Sequence, residues 1–342
     1  MDYISTRGEA PALGFCDALL AGLARDGGLY VPREWPVLTK REIRAFRGKS
    51  YQDVAFAVLS PFTNGEIPAD VFRGMIDDAY ATFRHPAVTP LVQTGPNSFV
   101  LELFHGTTLA FKDVAMQLLA RLMDYALEKR GQRATIVGAT SGDTGGAAID
   151  AFAGRERTDI FILFPHGRVS PVQQRQMTTN NAANVHALAI EGNFDDCQGL
   201  VKAMFNDHAF RDALSLSGVN SINWARIMAQ IVYYFTAGLS LGAPDRPISF
   251  VVPTGNFGDI FAGYAAKRMG LPIDRLVIAT NDNDILARTL ASGEYRMQGV
   301  VATTSPSMDI QISSNFERLL FEACGRDAAA VRGSMASLQQ SG

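Results

Sequence analysis

The stretch Ala134-Thr135-Ile136-Val137-Gly138-Ala139-Thr140-Ser141-Gly142-Asp143-Thr144-Gly145-Gly146-Ala147-Ala148 decides how the chain reads. A short β-branched run gives way to a glycine-rich turn and then to small residues that suit a helix, a strand–loop–helix order. Such a loop offers backbone N–H groups and hydroxyls to an anion at a helix N-terminus. No Gly-Lys-Ser/Thr follows, the spacing is not G-x-G-x-x-G, and Ser141 lies in no G-x-S-x-G elbow, which excludes three familiar glycine-rich motifs. By itself the loop fits an ordinary strand-to-helix turn equally well.

Outward from it the pattern repeats. Ile160-Phe161-Ile162-Leu163, residues 185 to 190, 248 to 252 and 276 to 279 are short apolar runs bounded by Gly, Pro or polar residues. They read as parallel strands covered on both faces by helices, an α/β pattern. Ser170-Pro171 marks a helix start, with serine as cap and proline in the first turn. Residues 113 to 130 carry Val114, Leu118, Leu122, Ala126 and Leu127 at helical spacing, with Gly131 as the stop. The first 90 residues read as mostly helical, punctuated by Pro32, Pro36, Pro61 and Pro68, and form a separate N-terminal domain.

The 342 residues and 47% hydrophobic content allow a large core and more than one domain. A net charge of −3 leaves no basic surplus for nucleic acid or an anionic membrane, so a small-molecule partner is expected. Cys16, Cys197 and Cys324 are odd in number and widely spaced, which argues for a reducing compartment. No export signal opens the chain and no apolar run approaches the roughly 18 residues of a membrane span, so the location is read as cytoplasmic. The final residues still accumulate helical pattern without a terminator, which reads as a chain cut short. His166, His186 and His208 have no metal-ligand spacing, so no metal is expected, and Met116, Met123 and Met204 read as core residues.

Two further segments carry chemistry. In Leu103-Phe104-His105-Gly106-Thr107-Thr108-Leu109-Ala110-Phe111-Lys112-Asp113, a lysine sits where a polar turn meets a helix. Apolar neighbours there could strip its hydration and lower its pKa, as an amine that attacks an aldehyde requires. A surface lysine near a helix start is the plainer alternative. Val252-Pro253-Thr254-Gly255-Asn256-Phe257-Gly258-Asp259 forms a second strand-to-helix turn whose glycines permit close approach to a phosphate. One lysine and two anion loops, all at strand carboxyl ends, make a stronger combination than any of them separately.

The three segments occur in the order found in fold-type-II pyridoxal-phosphate enzymes of the tryptophan synthase beta-like class. Within that group the sequence resembles the threonine synthase family. The resemblance rests on His105-Gly106 with residues 109 to 113, on Ser221-Ile222-Asn223-Trp224-Ala225-Arg226, and on residues 305 to 310 leading to Ser313-Ser314-Asn315-Phe316-Glu317-Arg318. Residues 3 to 8 and 26 to 32 fit as well, so it extends over essentially the whole chain. The family usually has proline where this chain has Thr107, a change expected to loosen the turn. Family members also extend further, and the polar partner of the cofactor's pyridine nitrogen normally lies in that additional region.

The resemblance implies parallel-rich sheets flanked by helices, with residues 1–90 as N-terminal domain. Residues 91–132 and 191–342 would form the large cofactor domain, and 133–190 the small α/β domain. Lys112 would hold pyridoxal phosphate as a Schiff base and shuttle protons. Gly255, Asn256, Phe257 and Gly258 would hold the cofactor phosphate. Ser141, Gly142, Asp143 and Thr144 would meet the substrate carboxylate and the cofactor's phenolic oxygen, Asp143 replacing the asparagine of many related enzymes. The implied substrate is O-phospho-L-homoserine, converted with water into L-threonine and phosphate. Arg226 is the first choice for its phosphate because a guanidinium matches phosphate bidentately; His105 and Asn223 come second. A serine or threonine dehydratase of the same fold, and a non-catalytic metabolite-binding homologue, are the competing readings. The sequence leaves monomer or homodimer open.

Overall fold

The computed structural model describes residues 1 to 341. Contacts divide the chain into two compact units, Met1–Ile67 with the chain from Ser221 onward, and Pro68–Asn220. The first segment holds β1 (Tyr3–Ser5), α1 (Phe15–Ala21), β2 (Tyr30–Pro32), α2 (Lys40–Ala45) and α3 (Tyr51–Thr63). The middle unit begins with α4 (Ala69–Tyr80), β3 (Leu91–Gly95), β4 (Ser98–Leu101), α5 (Asp113–Arg130) and β5 (Ala134–Ala139). It continues through α6 (Asp143–Phe152), β6 (Thr158–Pro165), α7 (Pro171–Thr178), β7 (Val185–Ile190), α8 (Phe194–Asn206), α9 (His208–Ala213) and β8 (Leu216–Ser217). The last segment contains α10 (Trp224–Ser240), β9 (Ile248–Pro253), α11 (Gly258–Arg268), β10 (Ile273–Ala279), α12 (Ile285–Ser292), α13 (Phe316–Ala323) and α14 (Ala328–Ser341).

The middle unit is built on a four-stranded sheet in the order β7-β6-β5-β8, with every pairing parallel. α5 is the helix expected over 113 to 130, and Gly131 closes it in a left-handed conformation at φ 60°. Met116 and Met123 are fully buried on it. Its apolar stripe is wider than the sequence indicated, because α4 packs on one side and α6 on another. Ser170 caps α7 by accepting from the Gln173 N–H, with Pro171 in the first turn. On the far side of the sheet α8 seats Cys197 and Val201 against Val137 and Leu163.

These packings cut the chain at 67/68 and 220/221, elsewhere than at the sequence-read limits of 90, 132 and 190. α4 groups with α5 through its buried Phe72, Ile76, Ala79 and Tyr80, and α8 groups with the sheet it covers.

The other unit is centred on α10, whose residues are buried almost all round, the mark of a helix enclosed by protein. At its start Trp224 meets Tyr3, Trp35 and Phe62 at ring-centroid distances of 6.0, 5.9 and 5.7 Å. Pro61 does not end α3: it lies inside the last turn, and Phe62 beyond it is buried in this aromatic cluster. β9 and β10 pair in parallel, but helices cover only one face of β9, where Ile248 and Val252 are buried while Ser249 and Val251 are exposed. The expectation of strands covered on both faces therefore fails here, since the covering helices α10 and α11 meet only the alternate residues.

Candidate active site

Lys112 stands immediately before α5 in the middle unit. Its side chain is nearly buried, at 8% residue exposure, with Nζ 4.6 Å from the centre of the Phe111 ring. Nζ donates to Oδ2 of Asp143 at 2.5 Å. The lysine is not the surface residue of the plainer alternative.

The loop before it is pinned by Asp113, which is fully buried and accepts from the Thr108 N–H at 2.8 Å and the Thr108 hydroxyl at 2.6 Å. Burial pushes the Asp113 carboxyl above the usual carboxylate range, against the pull of the Thr108 donors. Gly106 is required by this arrangement, since a Cβ there would come 2.5 Å from the Asp113 side chain. The sequence reading gave Asp113 no task, although it adjoins the lysine. Thr107 corrects an expectation: its hydroxyl donates to Asp150 Oδ2 at 2.5 Å, so threonine ties the turn down rather than loosening it. His105 is engaged by Glu102, with Nε2 to Oε2 at 2.7 Å, and stacks on Phe104.

The loop after β5 is closed from inside. Thr140 Oγ1 accepts from the N–H groups of Gly142 and Gly145 at 3.0 and 2.9 Å, and Asp143 Oδ1 accepts from the Thr144 N–H at 2.8 Å. Gly142 sits at φ 148°, a conformation that favours glycine. Three amides on which an anion-binding reading relied are thus spent internally. The chemistry this loop retains lies in the half-buried hydroxyls of Ser141 and Thr144 and the Asp143 carboxylate.

In the other unit the turn from β9 to α11 behaves differently. The carbonyl of Gly255 accepts from the Ser313 hydroxyl at 2.7 Å, and that of Asn256 accepts from the N–H and side-chain amide of Asn315 at 3.1 and 2.9 Å. Phe257 takes a left-handed conformation at φ 61° and packs edge-on against Phe316 at 5.4 Å. Among the described residues no carbonyl or side chain accepts from the N–H groups of Gly255, Asn256, Phe257 and Gly258. At the start of α11 the half-buried Asp259 accepts from the hydroxyls of Tyr233 and Tyr234 at 2.5 and 2.8 Å. Burial raises its carboxyl, the two hydroxyls working the other way.

Asn223 caps α10 and Arg226 lies in its first turn; α10 packs on α11. Asn223 is fully buried and committed to the helix start: its Oδ1 accepts from the Ala225 N–H at 3.0 Å and its amide donates to the Leu19 carbonyl at 2.9 Å. Arg226 is 2% exposed in the first turn of the helix. Lys112, Asp143, His105, Ser141, Gly142 and Thr144 thus share one unit, and Gly255, Asn256, Phe257, Gly258, Asn223 and Arg226 share the other. No group of three or more metal-ligating side chains forms among the described residues.

Residues 2–80 match the family described as threonine synthase N terminus, and residues 83–336 match the pyridoxal-phosphate dependent enzyme family. The threonine synthase of Pseudomonas aeruginosa is 57% identical over 342 residues, an alignment covering 100% of this chain and 73% of that protein. The crystal structure of threonine synthase from Brucella melitensis with bound pyridoxal phosphate superposes with a TM-score of 0.98 at 78% identity, covering 100% of this chain and 74% of that one. The yeast threonine synthase structure superposes at 0.93 with 46% identity, covering 99% and 71% respectively. The likeness spans both units and rests on high identity, so the chain belongs to the threonine synthase family of pyridoxal-phosphate-dependent enzymes.

Proposed function

We propose that the chain converts O-phospho-L-homoserine and water into L-threonine and inorganic phosphate, with Lys112 as the amine that carries the cofactor. The observation that carries this reading is the Lys112 amine itself, nearly buried and paired with Asp143 at 2.5 Å at the head of α5. The donor set suits pyridoxal phosphate. Its aldehyde calls for an amine, and its phosphate calls for N–H groups with no internal acceptor, which Gly255, Asn256, Phe257 and Gly258 offer. Glycine at 255 lets the 307 to 308 backbone pack closely on this turn, since a Cβ there would lie 3.2 Å from the Met308 Cα and the Ser307 carbonyl.

When bound, the cofactor supplies an electron sink for negative charge developing on the substrate carbons. The Lys112 amine takes the proton from substrate Cα and returns protons further along the chain. Asp143 holds the Lys112 side chain in place and would meet the cofactor's phenolic oxygen, where a carboxylate would have to share or carry a proton. The hydroxyls of Ser141 and Thr144, together with the backbone at Gly142, would meet the substrate carboxylate. Arg226 receives the substrate phosphate, with His105 and Asn223 as second choices. A proton leaves Cβ as the Cγ–O bond breaks and phosphate departs, a proton added at Cγ makes the methyl group, and water gives its hydroxyl to Cβ and its remaining proton to the phosphate, Cα recovering its own proton last.

Phosphate release from O-phospho-L-homoserine, set against keto-acid formation from threonine or serine, tests the reading. Keto acid without phosphate release would replace it with the dehydratase alternative, and binding without turnover would point to the non-catalytic homologue. We further propose a reducing, cytoplasmic setting. Among the described residues Cys16, Cys197 and Cys324 form no disulfide, and no helix is long and apolar enough to cross a membrane.

A further inference from the structure

We propose that Ser313, Asn315 and Arg318 are positioning residues that aim the backbone of the 255 to 258 turn, a role that rests on the reading of this turn as the holder of the cofactor phosphate. In a trans peptide the carbonyl of one residue and the N–H of the next point in opposite directions, and the peptides here are trans. The Gly255 carbonyl is taken by the Ser313 hydroxyl at 2.7 Å, so the Asn256 N–H faces the other way. The Asn256 carbonyl is taken twice by Asn315, so the Phe257 N–H is likewise turned out.

Without these clamps the peptides next to Gly255 could rotate at little cost, because glycine has few conformational restrictions. A carbonyl turned toward the phosphate would then replace a donor with a repelling dipole.

Asn315 is itself locked. Its amide nitrogen also donates to the Ser221 carbonyl at 3.2 Å, while its oxygen accepts from the Arg318 guanidinium. Arg318 is fully buried and donates to the Tyr30 carbonyl at 3.1 and 2.9 Å and to the Ile222 carbonyl at 2.6 Å. Its guanidinium lies 5.9 Å over the Trp224 ring. A charged donor on one side of the amide and two carbonyls on the other fix which end is oxygen and which is nitrogen. Ser313 is held in turn, its N–H donating to the Tyr295 hydroxyl at 2.7 Å. The six residues 313 to 318 thus do more than begin α13: they set the direction of two amides some 58 and 59 positions earlier.

The test compares equilibrium binding of pyridoxal phosphate with that of pyridoxal, which differs only in lacking the phosphate, on the full chain and its variants. Ser313→Ala is expected to weaken pyridoxal phosphate about tenfold, the effect of one lost aligning hydrogen bond, and to leave pyridoxal within about twofold. Ser313→Thr, which keeps the hydroxyl, should restore the difference. Asn315→Ala should show the same selective loss, and if it fails to fold the serine pair alone decides. Equal weakening of both compounds, or no change in either, would reduce the network to fold support and overturn the proposal. Equal binding of the two compounds by the unaltered protein would instead overturn the phosphate reading of the turn, and the positioning role with it.

Discussion

Lys112 illustrates what a single residue discloses. Its neighbours Phe111 and Ala110, and its place before a helix, pointed to a shielded amine; its ion pair with Asp143 joins residues 31 positions apart, and nothing local announces it. Borohydride reduction of the reconstituted protein should fix the cofactor on Lys112, read by peptide mass spectrometry. Label on another lysine would displace it from the proposed role. Arg226→Lys should cost about 2–5 kcal/mol in kcat/KM for O-phospho-L-homoserine while cofactor affinity holds, because an ammonium cannot reproduce a bidentate fork. Unchanged kinetics would remove Arg226 from the substrate phosphate. Thr107 was misread from sequence because its partner Asp150 lies 43 residues away, across a helix and a strand.

Among elements, helix starts were the most legible, since a cap is a local event. Ser170 with Pro171 could be read directly, as could the stop at Gly131. Asn223 was noticed only through its motif, and the structure gives it a capping task on the most buried helix of its unit. Asn223→Ala should therefore lower stability by about 1–2 kcal/mol, through the lost cap and a buried carbonyl left without its donor. Denaturant unfolding checks this. An unaltered midpoint combined with a raised KM would favour contact with substrate over the capping role. The exposed face of β9 could not be read, because an apolar run such as residues 248 to 252 looks the same whether one side or both are covered.

At the scale of the molecule, the α/β alternation was plain, but the division into units was not, because it depends on which helix packs on which sheet. A desolvated carboxyl also acts globally. The raised Asp259 carboxyl is protonated in the folded state over a range where the unfolded chain has lost that proton. Unfolding there releases a proton, so this group's stabilising contribution is present at low pH and is lost as pH rises through its folded-state value. Asp259→Asn should accordingly show a flatter fall in stability than the parent protein as pH is raised from the acid range to neutrality. Urea midpoints at several pH values would read it, and parallel curves would show that Asp259 does not titrate across that range.

The unit made from both parts of the chain is closed by Thr6 and Arg7 gripping Glu317, the Arg7 contact linking residues 310 apart. During synthesis at roughly 5–20 residues per second, the ribosome needs on the order of 15–60 seconds between making Arg7 and making Glu317. For that interval the first strand has no Glu317 to meet, and for most of it no Trp224, while Pro68–Asn220, continuous in sequence, has all its own residues before Trp224 is made. The order of synthesis thus favours a middle unit that folds first and a two-part unit that completes only when its second segment has been made.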